Sequence, residues 1–121
     1  MSTRQQEWSL KAHTHVSKFE KDANNKAKLK TLCMKFPSLV QQAGLIQALV
    51  FVEARFAEPG KVFLDAVAGT YGESSSASAL RMRAQKADLP EYLALSRDIA
   101  AVSVWFRRFA QVLLRDVEGT D

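Results

Sequence analysis

Residues Leu89 to about Val117 read LPEYLALSRDIAAVSVWFRRFAQVLLRDV. Within this stretch Tyr92, Leu95, Ile99, Val102, Phe106, Phe109 and Leu113 recur at alternating steps of three and four residues. That spacing lines one side of a helix, and its persistence means that the helix packs along most of a partner surface. Asp88 stands ready as an N-cap, Pro90 fits a first turn, and Glu91 is the acidic residue three positions after the cap. A long C-terminal helix is therefore the anchor of the fold.

Working toward the N-terminus, the same period returns. From Thr3 to about Ala23, the residues Trp8, Ala12, Val16, Phe19 and Ala23 form one stripe, and Asn24-Asn25 breaks it. Leu29, Leu32, Cys33 and Phe36 form the inner stripe of a second helix that Pro37 should stop or kink. Ser38 to Gly44 reads as one or two turns closed by glycine. From Leu45 to Phe56 apolar residues occupy nearly every side, which predicts a helix at the centre of the molecule. Glu58-Pro59-Gly60 predicts a turn, followed by a short helix through Val62, Phe63, Ala66 and Val67 that ends near Gly69 or Gly72. Residues 73–78 are serine-rich and predict a flexible loop, and a further helix carries Leu80 and Met82. No strand-like alternation competes. The expected fold is all-α, a compact bundle of five or six helices in one domain spanning residues 1–121, frayed at residues 1–5 and 118–121.

Composition narrows the chemistry. With 47% apolar and 25% charged residues the chain is globular rather than disordered. No apolar run reaches the ~20 residues of a membrane helix, and the polar N-terminus has no signal-peptide core, so a cytoplasmic location is expected. The single cysteine, Cys33, excludes an intrachain disulfide and a multi-thiolate zinc site. His13 and His15, two apart on a helix, point about 200° from each other and cannot share a metal. Gly69 and Gly72 lack the strand and Lys-Ser or Lys-Thr of a phosphate loop, and Ser74, Ser75 and Ser76 have no positioned base. No catalytic residue, metal site, cofactor or small-molecule substrate is expected.

Charge is more informative than its +4 total. Lys11 to Lys35 holds seven lysines and two acids, Arg81, Arg83 and Lys86 form a second basic group, and Arg107-Arg108 a third. Such zones suit a phosphate backbone, because each neutralised phosphate releases condensed counterions, and they equally suit a solvated helix face. Trp105 lies one position off the heptad stripe beside the arginine pair. It reads as a wider buried face, as an anchor against a neighbouring subunit, or as a platform for an unpaired base.

Two segments together resemble a known family, the small helical subunit of the type III-B CRISPR effector (the Cmr complex, which targets RNA). The first is LCMKFPSLVQQAGLIQALVF, Leu32 to Phe51: a proline, two aliphatic residues, a polar pair, Gly-Leu, then an apolar helix ending in an aromatic. The second joins Tyr92-Leu93-Ala94-Leu95-Ser96-Arg97 to Trp105-Phe106-Arg107-Arg108-Phe109-Ala110. Order and spacing agree over most of residues 8–115; Ala43 departs from the asparagine common before Gly-Leu.

The resemblance implies a non-catalytic subunit, present in several copies, stacked along the guide-RNA filament beside backbone and large subunits. Its basic surface would meet the backbone of target RNA paired with guide RNA. The pool of contacts is Lys11, Lys18, Lys21, Lys26, Arg81, Arg83, Lys86, Arg107 and Arg108, with Trp105 at a subunit interface. Rival readings are the small subunit of the related type III-A effector and a helical protein–protein adaptor with no nucleic-acid role. A helix-turn-helix regulator, with Pro37 to Phe56 as its motif, fits poorly, because the helix that would read bases is apolar on almost all sides and so poor in the polar residues that read base edges.

Overall fold

The computed structural model describes residues 3–72 and 76–119. Five helices and no strand occur among the described residues: α1 Arg4–Glu20, α2 Lys26–Ala43, α3 Leu45–Tyr71, α4 Ala77–Lys86 and α5 Leu89–Leu113. Helix α5, about 37 Å long at 1.5 Å per residue, lies against α1, α2 and α3, while α4 packs on α3.

Helix ends follow local chemistry. Thr3 and Gln6 form a reciprocal capping box at the start of α1, so Thr3 to Gln5 open a helix where fraying was expected. The helix stops at Glu20 rather than Ala23, and Asp22 accepts from the Asn25 amide within the turn that follows. Ser76 caps α4 and Asp88 caps α5 through their side-chain oxygens. The serine-rich stretch is thus shorter as a loop than expected: Ser76 to Ser78 begin α4, and Glu73, Ser74 and Ser75 lie outside the described residues.

The stop expected at Pro37 does not occur. Helix α2 runs through it to Ala43, with the ring buried in the bundle. One missing amide donor is a local loss, and burial of the ring and of Phe36 and Val40 beside it outweighs that loss. The chain then reverses at Gly44, whose φ of 90° suits glycine.

Helix α3 breaks sharply at one residue, Ala57, with φ 50° and ψ −122°. Glu58-Pro59-Gly60, expected as a turn, instead opens the second half of α3, and Pro59 and Gly60 are buried. Gly60 is required by close approach: a Cβ there would sit 2.6 Å from the Val52 carbonyl oxygen. Ala57 itself is exposed and adopts a backbone conformation that L side chains rarely take, a strain on the order of 1–3 kcal/mol. Ala57→Gly relieves it, offset by about 0.5–1 kcal/mol of extra freedom in the unfolded chain. The expected outcome is a gain of about 1 kcal/mol, read as a higher urea midpoint at unchanged slope.

The core centres on Phe63 in the second half of α3. Its ring meets Phe36 (5.3 Å between centroids), Phe106 (5.8 Å) and Phe19 (6.4 Å), one each from α2, α5 and α1. The heptad residues Leu95, Ile99, Val102 and Phe106 are buried; Tyr92, Phe109 and Leu113 pack at the margin. The half of α3 expected at the centre buries Leu45, Ala48, Leu49 and Val52, yet Val50 and Phe51 are each 46% exposed.

Helix α5 ends at Leu113, four residues before the expected Val117, and the chain turns onto α2. Leu114 is buried, the Lys30 ammonium donates to the Val117 carbonyl (2.6 Å), and Gly119 lies against Thr31. The apolar stripe has run out at Arg115-Asp116, so burying Leu114 and Val117 favours a turn over continued helix.

Candidate nucleic-acid and subunit interfaces

The basic residues separate into zones. Lys18 and Lys21 near the end of α1 and Lys26 at the start of α2 lie at one end of the bundle. Lys11 and Lys18 both act on His15, whose proton affinity is held below its ordinary value by burial first and then by these two ammonium groups. That leaves His15 neutral at pH 7 and packed over Phe106. The α4 residues belong elsewhere: Arg83 lies over Tyr71, which also contacts Trp8, about 20 Å along α1 from Lys21 at 1.5 Å per residue.

Two of the α4 cations are already engaged with the bundle. Arg81 pairs with Glu53 of α3 at 3.2 Å and donates to Gln85, while Arg83 stands 3.7 Å from Glu91 of α5. Lys86 is exposed at the end of the helix. Arg4, absent from the sequence-derived pool, is held similarly: its guanidinium pairs with the buried Asp98 carboxylate (2.6 Å) and lies 4.5 Å from the Trp8 ring centre.

Helix α5 separates the arginine pair onto two flanks, because successive residues point about 100° apart on a helix. On the α1 side, Arg108 lies 5.9 Å from the Trp105 ring centre. Trp105 stacks on Phe109 (5.9 Å), and its indole N–H donates to Gln5 of α1 (2.8 Å). His13 meets Phe109 edge-on at 5.2 Å. Leu10 and Val112 on the same two helices are exposed. Trp105 is therefore half-buried and held in place, with an aromatic and cationic margin around it.

On the α2 side, Arg107 lines an open groove of about 470 Å³ between α2 and α5. Its α5 wall is the stripe Arg97, Ala100, Ala101, Val104 and Arg107; Ser38 and Gln41 of α2 form the other wall. Ten residues separate the two arginines, about 15 Å along the helix. The small Ala100 and Ala101 between them keep the floor open. Ser96 also lines the groove, and its buried hydroxyl has no hydrogen-bond partner among the described residues. Arg97 is 76% exposed and 3.7 Å from Asp98, its neighbour in sequence. Sequence reasoning left Arg97 out of the contact pool; the signal that finds it is an arginine at each end of a small-residue stripe.

Cys33 is fully buried, and burial pushes its thiol well above the ordinary cysteine value. Among the described residues no group of three or more His, Cys, Asp or Glu side chains could hold a metal ion. No helix among them is long and apolar enough to cross a membrane. What the arrangement offers is charge, hydroxyl and amide donors in a groove, and an aromatic seam beside it.

Comparison with known proteins adds three findings. A family model described as CRISPR-associated protein (Cas_Cmr5) matches residues 4–113. The protein named CRISPR system Cmr subunit Cmr5 from Thermus thermophilus is 37% identical over 116 residues, covering 96% of this chain and all of the relative. The crystal structure of a CRISPR-associated Cmr5 family protein from Thermus thermophilus matches with a TM-score of 0.89 at 38% identity, covering 94% of this chain and 99% of that one.

Proposed function

The chain belongs to the Cmr5 family and is a small helical subunit of a Cmr complex, and from that premise we propose that it binds the backbone of target RNA without catalysing a reaction. The observation that carries this reading is the α2–α5 groove, with Arg97 and Arg107 at its ends and the exposed Ser38 and Gln41 along it. Guanidinium groups and hydroxyls donate to phosphate oxygens whatever the base, so such a groove holds a strand without reading it. Sequence is left to pairing between guide and target, the division of labour in other RNA-guided effectors. The Trp105–Phe109 seam on the opposite flank of α5 supports contact with a neighbouring subunit, since Trp and Arg dominate interface anchors. In this reading copies of the chain stack beside the backbone and large subunits of the complex.

The test is to purify the tagged chain gently from its host and sequence the RNA that survives nuclease. The expected result is short protected RNAs beginning with a repeat-derived tag, together with other Cmr subunits. A clean protein with neither would overturn the RNA reading and leave a helical adaptor.

A further inference from the structure

We infer that Arg4 is a positioning residue for the α2–α5 groove: by occupying the Asp98 carboxylate, the first turn of α1 leaves the Arg97 guanidinium free to face the groove. The inference rests on the RNA reading above and adds to it the element that sets the charge of the groove.

Among the described residues Asp98 is the one charged side chain that the bundle buries. Two cations meet it. On one side Arg4 Nη2 donates to Oδ2 at 2.6 Å, and on the other Arg97 Nε stands 3.7 Å from Oδ1. The first contact is a short, charge-assisted hydrogen bond; the second is too long to be one, so Arg97 is held loosely and stays 76% exposed. Arg97 is also a wall residue of the groove. One guanidinium thus stands within reach of both the buried carboxylate and the groove. Which of them it serves depends on whether the carboxylate already has a partner.

Arg4 is held in place as that partner. Its guanidinium lies 4.5 Å from the Trp8 ring centre and 5.9 Å from that of Tyr71. The Thr3–Gln6 capping box fixes the turn that carries it. Arg83, the other cation over Tyr71, faces Glu91 and is no substitute. Without Arg4, a carboxylate largely withdrawn from water keeps Arg97 as its neighbouring cation, and the cost of leaving it unpaired draws Arg97 inward. The groove then loses one of its two arginines although no residue lining it has changed.

Phenylglyoxal modification of the full chain, read arginine by arginine by mass spectrometry, tests this, because pairing to a carboxylate slows the reaction. Arg4 is 56% exposed, so its replacement leaves the core untouched. In Arg4→Gln, Arg97 should be modified roughly three-fold more slowly than in the unaltered chain, the scale of a partly exposed ion pair. Exposed Arg108 should keep its rate. Adding Asp98→Asn, which removes the carboxylate charge and keeps the side-chain shape, should restore Arg97. Adding Glu20→Gln, which restores only the net charge at the far end of α1, should not. Arg4→Lys keeps a cation at Asp98 and should stay close to the unaltered rate. An Arg97 rate indifferent to Arg4→Gln, or a slowing that Glu20→Gln repairs as well as Asp98→Asn does, would overturn the assignment. These rates need no RNA. In the assembled complex Arg4→Gln should also flatten the salt slope of target-RNA binding by about 0.7, the share of one phosphate contact. Slowed Arg97 modification with an unaltered slope would uphold the hold of Arg4 on Arg97 and overturn the RNA reading instead.

Discussion

Phe63→Ala is expected to remove about 3–5 kcal/mol of folding stability, the range for deleting a fully buried phenylalanine. Phe63 is 0% exposed, and its ring is the one that touches phenylalanines from α1, α2 and α5 together. Truncation removes ring contacts to three helices at once, and the bundle cannot collapse into the space without moving helices that are fixed elsewhere by their own stripes. Set against a typical total of about 5–15 kcal/mol, the loss leaves a marginal protein. Urea unfolding followed by far-ultraviolet circular dichroism checks it: the midpoint should fall steeply while the helical signal in water persists or is partly lost. Phe51→Ala, at a half-exposed position six residues before the α3 break, should cost far less. Equal losses at Phe51 and Phe63 would mean that the aromatic cluster is not the hub of the core.

Arg97→Gln combined with Arg107→Gln is expected to weaken target-RNA binding by the assembled complex about ten- to hundred-fold, from the loss of two charge-assisted contacts. The diagnostic is the salt response. Each single-stranded phosphate contact contributes about −0.7 to the slope of log affinity against log salt, so removing two should flatten it by about 1.4. Arg81→Gln is the internal control, since Arg81 is paired with Glu53 and holds α4 to α3. Its replacement should lower stability and leave the salt slope nearly unchanged. An unaltered slope in the Arg97/Arg107 variant would move the RNA contact away from the α2–α5 groove.

Much of the bundle was readable from periodicity. The stripe from Tyr92 to Leu113 names the face of α5 that the structure packs inward, and Trp8, Ala12, Val16 and Phe19 do the same for α1. Caps were equally local, as Asp88 does what its spacing to Glu91 implies. The errors fall where distant contacts overrule local preference. Pro37 remains helical because its ring is buried. Pro59 and Gly60 enter a helix because Gly60 passes against the Val52 carbonyl, which moves the break to Ala57. The last turn of α5 is lost because Leu114 and Val117 find apolar surface by turning toward α2.

The candidate interfaces divide along the same line. Clustering in sequence grouped Arg107 with Arg108, and Arg81 with Arg83 and Lys86, since neighbours in a chain are all that composition can see. Helix geometry sends Arg107 and Arg108 to different flanks, and packing ties Arg81 to Glu53. Arg97 joins Arg107 only because α2 lies alongside α5 and two alanines hold the floor open. By itself, then, the sequence determined the helices, their inner faces and the abundance of positive charge, all properties of residues a few positions apart. Which cations share a surface, which are consumed as internal struts and where an apolar face stays uncovered were decided by the tertiary structure, because those are relations between helices and exist only once the helices have packed.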